Sequence, residues 1–480
     1  METMRGVVYL EAFNTSADLS GISLYQNTVD LLVGLDEIGH RHFMEFVLPS
    51  NKRKITWPDG MFDAPWIRPW MIDTDHTPPF DHYPVPAEAI EPFMPKLIGS
   101  PLLDYVINGR FMHTAAIQNC FWASRNQFGV PIELPVITWL WETGTNERLP
   151  AFKEDGGKAA VLSSALSGPV IVMKQEDKDW LLDLVFDLAP SKADQVYYRT
   201  EVVNAVADLT GVEGMQRMYT AQRLERAADK KKPVLFHGGS GEKKRRIEPM
   251  LAAVAELPDL VDVVLTTQWT RKVNHWENQA TVYKGVNHEG YLNMLGKGDI
   301  CFIGAEHETT GLAYLEAVHS GMLPIVFDAP WFEELIPDDY PFVAKTWPEF
   351  QIMLRTMVKS LTPLKVQWTQ LLRDVMIESF SAVSVAAQWH ESVYKLTAPY
   401  RERNLHYVRG IKPAFDLLKR AVEEENWPVV TPTQAWDAMG ERSDKDLNFK
   451  FIVPNTLRYM LIALGYRDDC RGPDLIMIRD

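Results

Sequence analysis

Short apolar runs alternate along this chain with longer stretches of helical spacing. Val7 to Phe13 reads as a strand, and Ser23 to Ile38 as a helix with Leu24, Val29, Leu32, Val33 and Leu35 on its apolar face. Gly39 stops that helix and Phe43 to Leu48 resumes a strand. Strand, helix and strand in that order build parallel sheets. Further strands are expected at Tyr105 to Ile107, Val136 to Trp139 and Val170 to Val172. Residues 57–95 break the pattern with many prolines and aromatics, among them Trp57, Trp66, Trp70, Pro78 and Pro84. They read as a long loop or insertion near a binding face, or equally as a proline-stiffened cover.

A second series begins at Pro233 to Phe236, a strand followed by the glycine turn His237-Gly238-Gly239-Ser240-Gly241. Ile247 to Leu257 has helical spacing, and Val261 to Thr266, Ala280 to Tyr283, Ile300 to Ile303 and Pro324 to Phe327 read as strands. Two α/β series in succession predict two Rossmann-like domains facing across a cleft, residues 1–195 and 230–380. A helical, charged linker covers 196–229. After residue 360 the chain turns helical, with Val383, Ala387, Trp389 and Val393 marking a helix from Phe380 to Leu396. Residues 400–480 form an extension, with helices near Thr433 to Met439 and Asn455 to Leu464 and a strand from Leu475 to Ile478.

At 480 residues, 46% hydrophobic and 24% charged, the chain can bury large cores and is not a disordered polymer. Its net charge of −15 argues against a general nucleic-acid coat. One local basic cluster stands out: Lys230, Lys231 and Lys232, then Lys243, Lys244, Arg245 and Arg246. The first three read as a solvated linker face, whereas the second four follow a glycine turn and suit phosphate. Cys120, Cys301 and Cys470 are scattered, which points to neither a disulfide framework nor a zinc site. No run approaches the roughly 20 apolar residues of a membrane span, and the start of the chain lacks a signal-peptide apolar region. A cytoplasmic protein is expected.

The chemistry concentrates between Glu308 and Val326. Thr309, Thr310 and Gly311 follow a strand and open a helix, whose free N–H groups and dipole suit a diphosphate. Gly311 lets a ligand approach the backbone. Glu308 precedes the helix and Glu316 lies two turns into it. About 12 Å of helix rise separates them, against roughly 5–9.5 Å for a glycosidase pair. They suit two grips on one ligand better than an acid and a base.

This stretch resembles the Glu-x7-Glu motif of retaining GT-B glycosyltransferases, the group that includes sucrose synthases and bacterial lipopolysaccharide transferases. Glu308, Gly311-Leu312, Leu315-Glu316-Ala317, Gly321 and Pro324 carry the resemblance in order. Val234 to Lys244 is similar to the family's strand, glycine loop and phosphate-binding lysine, with Lys244 at the lysine position. Gly239 stands where the family usually has arginine, and Arg245 or Arg246 would supply that charge. Val286 to Ile303, with Asp299, and the helix over 380–397 that returns to the first domain match further. The resemblance implies metal-independent sugar transfer with retention from a nucleotide diphosphate sugar such as a UDP-sugar, with no other cofactor. Glu308 would hold sugar hydroxyls and Glu316 the ribose. Lys244, nearby arginines and the Thr310-Gly311-Leu312 amides would meet the leaving diphosphate beside Gly238 and Gly239. Gly21 would lie near the phosphates and His113 would face the sugar, although a lone histidine is more often structural.

The acceptor is not named by the sequence. The segment from Pro454 to Tyr466, then Arg471-Gly472-Pro473 and the final strand, resembles the helix-and-wing half of a winged helix, a unit that often places a helix on DNA. Phage transferases modify hydroxymethylated pyrimidines in DNA, so DNA is one candidate acceptor, and a phage enzyme would act in the host cytoplasm. Against it, residues 431–480 hold seven basic and eight acidic residues. A packing or dimer module is equally consistent, and the oligomeric state is open. Two further readings stand: the same chemistry on a glycan, protein or small molecule, and a non-catalytic nucleotide-sugar-binding module.

Overall fold

Strands apolar on both faces must be covered on both faces, and parallel pairing under helices is how such strands are buried. The computed structural model describes residues 4–9, 23–39, 42–49, 63, 64, 66–72, 104–109, 113–119, 133–140, 155–229, 231–238, 245–267, 274–306, 308, 311–442, 454–469 and 476–479. The chain divides into two units, residues 1–203 with 386–480, and residues 204–385. Both carry the parallel α/β architecture expected from the alternation of strands and helices.

In the first unit the strands are β1 (Met4–Tyr9), β2 (His42–Pro49), β3 (Ile67–Ile72), β4 (Tyr105–Asn108), β5 (Val136–Leu140), β6 (Val170–Val172) and β7 (Thr200–Val202). They lie in the order β3-β2-β1-β4-β5-β6-β7, every neighbour parallel. The first strand covers Met4–Tyr9, and residues 10–13 of the expected Val7 to Phe13 strand lie outside the described residues. Within the proline-rich 57–95 segment the chain forms β3, whose Pro69 is tolerated because, among the described residues, this strand has a neighbour on one side only.

The second unit contains β8 (Val234–Gly238), β9 (Asp262–Thr267), β10 (Thr281–Lys284), β11 (Ile300–Ile303), β12 (Leu323–Phe327) and β13 (Val343–Ala344). Their order is β10-β9-β8-β11-β12-β13, again parallel throughout. Strand order reverses between β8 and β11, the topological switch point where doubly wound sheets bind ligands at their carboxyl ends. Asp299, just before β11, fixes its start: its carboxylate accepts from Arg226 at 2.6 Å, Lys365 at 2.9 Å and the Val234 amide at 3.1 Å. The segment expected as a linker, 196–229, divides at residue 204; β7 closes the first sheet, and two helices, Leu209–Gly214 and Gln216–Ala228, belong to the second unit. The helix expected over 380–397 begins at Ala382. One helix spans Leu361–Phe380, Ser381 is extended, and a second runs Ala382–Gly410.

The extension comprises helix Lys412–Glu425, β14 (Val429–Val430), helices Pro432–Arg442 and Pro454–Ala463, β15 (Arg467–Asp468) and β16 (Met477–Ile478). The strands pair antiparallel as β14-β16-β15. This is the element order and sheet order of a winged helix; residues 470–475, between β15 and β16, lie outside the described set. Residues 455–461 of helix Pro454–Ala463 are all buried. Its Arg458 donates to Asp104 at 2.8 and 2.7 Å and to Asp468 at 3.1 Å. Arg5 in β1 donates to Asp468 at 2.7 Å, and Tyr459 donates to Asp104 at 3.0 Å. Burial alone would raise the Asp104 pKa, but Arg458, Arg401 and the Arg5 amide together outweigh it and hold the carboxyl at about 2. Among the described residues no helix is long and apolar enough to cross a membrane.

Candidate functional site

At the switch point of the second unit, β8 ends in Gly238, and a Cβ there would meet the Tyr291 ring at 2.5 Å. Tyr291 in turn donates its hydroxyl to the Ala313 carbonyl, tying the glycine turn to the helix that follows β11. That helix is Leu312–His319. Gly311 is its N-cap, left-handed at φ +62, with no side-chain cap. The space beyond the Gly311 α-carbon is filled by Trp331, whose ring lies 2.5 Å from where a Cβ would stand. Glycine is therefore required here by backbone angle and by tryptophan packing. The Tyr314 and Leu315 amides bond back to the Gly311 carbonyl at 2.8 and 3.2 Å. The helix is held at its far end too: Arg223 donates to the Ser320 carbonyl at 2.7 Å and Arg373 to that of His319 at 2.8 Å, where carbonyls and dipole both favour cations.

Glu308 sits before this helix, paired with Arg245 at 2.8 Å, both side chains about one-tenth exposed. The same guanidinium donates to the Tyr314 hydroxyl at 3.1 Å. Burial works against the Arg245 charge, yet Tyr314 and Glu308 hold its pKa above the ordinary arginine value. His237 packs alongside, 5.6 Å from the Tyr314 ring centroid. Burial first, then the Arg245 charge, push it down to about 3. It stays neutral, donating from Nδ1 to the Phe302 carbonyl at 3.3 Å. Its Nε2, the Arg245 Nε–H and the Thr266 hydroxyl have no partner among the described residues.

Glu316 is 3% exposed. Burial raises its pKa, opposed by His288, whose Nε2–H reaches the carboxylate at 3.0 Å. Asn287 caps the helix His288–Met294, its side chain accepting from the Gly290 amide at 2.9 Å, as a cap reading of Asn287-His288-Glu289 expects. Arg246 turns elsewhere, donating to Glu306 at 2.5 Å and Asp328 at 2.8 Å.

The second unit thus brings Gly238, Arg245, Glu308, Gly311, Leu312 and Glu316 to one end of its sheet. Gly239, Lys244, Thr309 and Thr310 lie outside the described residues, as does Gly21. His113 belongs to the first unit, where it is fully buried after β4 with its ring stacked on Tyr9 at 5.6 Å. Tyr314, Trp331 and His237 carry no local sequence signal for the site; their roles come from packing against residues distant in the chain. Among the described residues no group of three or more His, Cys, Asp or Glu could hold a metal ion.

No protein-family model and no curated protein matches this sequence. Solved structures do match its fold. Sucrose-phosphate synthase of Thermosynechococcus elongatus is 13% identical, with a TM-score of 0.58 over 82% of this chain and 100% of that one. HepE of Anabaena, solved with UDP and glucose, is 12% identical, with a TM-score of 0.54 over 82% and 100%. The catalytic domain of starch synthase IV from Arabidopsis thaliana, solved with ADP and acarbose, is 12% identical, with a TM-score of 0.56 over 82% and 99%. At such identities it is the fold that is shared, and the two parallel α/β units of this chain have the GT-B fold of glycosyltransferases.

Proposed function

We propose that this protein is a retaining, metal-independent glycosyltransferase that takes a sugar from a nucleotide diphosphate sugar and delivers it to an acceptor hydroxyl. The observation that carries the reading is the placement of Glu308 and the Gly311-capped helix at the switch point of the second sheet. The diphosphate is proposed to meet the Leu312 and Ala313 amides, Lys244 and the turn at Gly238 and Gly239, where leaving-group charge develops. Thr309, Thr310 and Gly311 lead into that contact. Glu308 holds sugar hydroxyls, and Glu316 serves the ribose end. In the first unit, Gly21 and His113 are proposed to serve the phosphates and the sugar. HepE and starch synthase IV, solved with UDP and with ADP, support a nucleoside diphosphate as the common ligand class. The proposed location is cytoplasmic.

A screen of UDP- and ADP-sugars against glycan, small-molecule and hydroxymethylated-DNA acceptors tests the reading. Transfer or donor hydrolysis is expected in the native chain, lowered at least 100-fold in Glu308→Ala, on the order of removing a transition-state contact. Unchanged turnover in that variant would overturn the site assignment. Donor binding without any turnover would make the chain a binding module.

DNA carrying hydroxymethylated pyrimidines is the second reading of the acceptor, favoured by the winged-helix order of the extension. The helix such units place on DNA here faces inward, with Arg458 spent on Asp104 and Asp468. No binding of the full chain to duplex DNA at low salt removes this reading and leaves glycans, proteins or small molecules.

A further inference from the structure

We infer that Arg245 is a positioning residue, a buried guanidinium anchored on Tyr314 that fixes the Glu308 carboxylate for the sugar. Granting the second unit the donor role proposed above, Glu308 faces a mechanical difficulty. It stands between β11 and helix Leu312–His319 and belongs to neither element. A carboxylate so placed needs a partner that is itself rigid.

Arg245 meets that need. It is 8% exposed. One terminal nitrogen donates to the Tyr314 hydroxyl at 3.1 Å, and the other lies 2.8 Å from Glu308. Tyr314 is fully buried in the first turn of the helix, with Trp331 at 6.0 Å and His237 at 5.6 Å between ring centroids. The carboxylate is therefore ion-paired with a guanidinium that is itself hydrogen-bonded to the helix through Tyr314, a reach that arginine's planar group supplies and lysine's single ammonium does not. The next residue shows why the two adjacent arginines do not share the task. Arg246 is left-handed at φ +53, and that kink sends its guanidinium to Glu306 and Asp328.

Charge accounting points the same way. With both terminal nitrogens of Arg245 engaged, its charge is balanced by Glu308.

The test compares UDP and ADP with UDP-glucose and ADP-glucose on the native chain and on Arg245→Gln, Arg245→Lys, Tyr314→Phe, Glu308→Gln and the Arg245→Gln/Glu308→Gln pair. For the nucleotide that binds, Arg245→Gln is expected to keep the free-diphosphate Kd within about threefold and to lower kcat about 30- to 300-fold with KM nearly unchanged. Arg245→Lys should recover about tenfold of that loss. Adding Arg245→Gln to Glu308→Gln should cost less than about twofold more, because the two act as one unit. A tenfold loss of free-diphosphate affinity in Arg245→Gln, persisting in the Glu308→Gln background, makes Arg245 a phosphate contact and overturns the positioning role alone. A native chain that binds none of the four ligands overturns the donor reading and the positioning role together. Should Arg245→Gln fail to fold by circular dichroism, Arg245→Lys and Tyr314→Phe carry the same comparison.

Discussion

The Nε2–H of His288 reaches the Glu316 carboxylate at 3.0 Å, and that carboxylate is almost wholly buried. A buried carboxylate with a raised pKa favours the protonated form in the folded state, so its ionisation opposes folding as pH rises through the folded value. Glu316→Gln removes that cost. Its Tm should exceed the native value at pH 8, and by less at pH 5. If Glu316 serves the ribose, the same variant loses roughly 10- to 100-fold in UDP or ADP affinity. Scanning calorimetry at both pH values, with ligand titration, checks both halves. A lower Tm at pH 8 would show that the carboxylate stabilises the fold.

Gly311→Ala should be costly. A left-handed alanine costs about 1–2 kcal/mol, and its Cβ would stand 2.5 Å from the Trp331 ring. Urea unfolding is expected to show a loss of at least about 2 kcal/mol. Adding Trp331→Leu should recover the steric part and leave the backbone part. A native-like Gly311→Ala would mean that Trp331 yields without cost.

The Asp104–Arg458 pair makes a pH prediction. The folded pKa of Asp104, about 2, lies below its ordinary value of 3.8. The pair's stabilisation is therefore present above pH 4 and is lost as pH falls toward 2. Its size is about 2 kcal/mol from the shift, and removing one partner costs about 3–5 kcal/mol because a charge stays buried. Asp104→Asn should be less stable than the native chain at pH 7, with the gap closing toward pH 2. A gap that stays constant with pH would contradict the pairing.

Deleting residues 426–480 strips Asp104 of Arg458 and Arg5 of Asp468. Amide hydrogen exchange in β1 and β4 should accelerate strongly in the truncated chain while β8 and β11 stay protected. Equal protection in both sheets would show that the extension is dispensable.

Much of the fold was legible because central strands of parallel sheets are plain apolar runs: Ile300 to Ile303 and Val170 to Val172 were read to the residue. The strands that escaped, β3, β7, β13, β14 and β15, each lie at a sheet margin. Such strands need to bury less and can carry Pro69 or Glu201, so their pattern fades into loop or helix. Glu308, Gly311 and Glu316 announced themselves by spacing along one local segment. The partners that hold them did not. Arg245 with Tyr314, and Trp331 behind Gly311, meet only after folding, and a linear pattern has no means of pairing them. Gly311 was read as an opening for ligand, but its missing side chain makes room for Trp331.

The bond from Arg5 to Asp468 spans 463 positions of sequence. At about 5–20 residues per second on the ribosome, β1 waits on the order of half a minute to a minute and a half for the acid that neutralises its arginine. Residues 204–385 have their whole sheet in hand before then. The ion pair that ties β1 to the extension is therefore completed only after residues 204–385 have all been made.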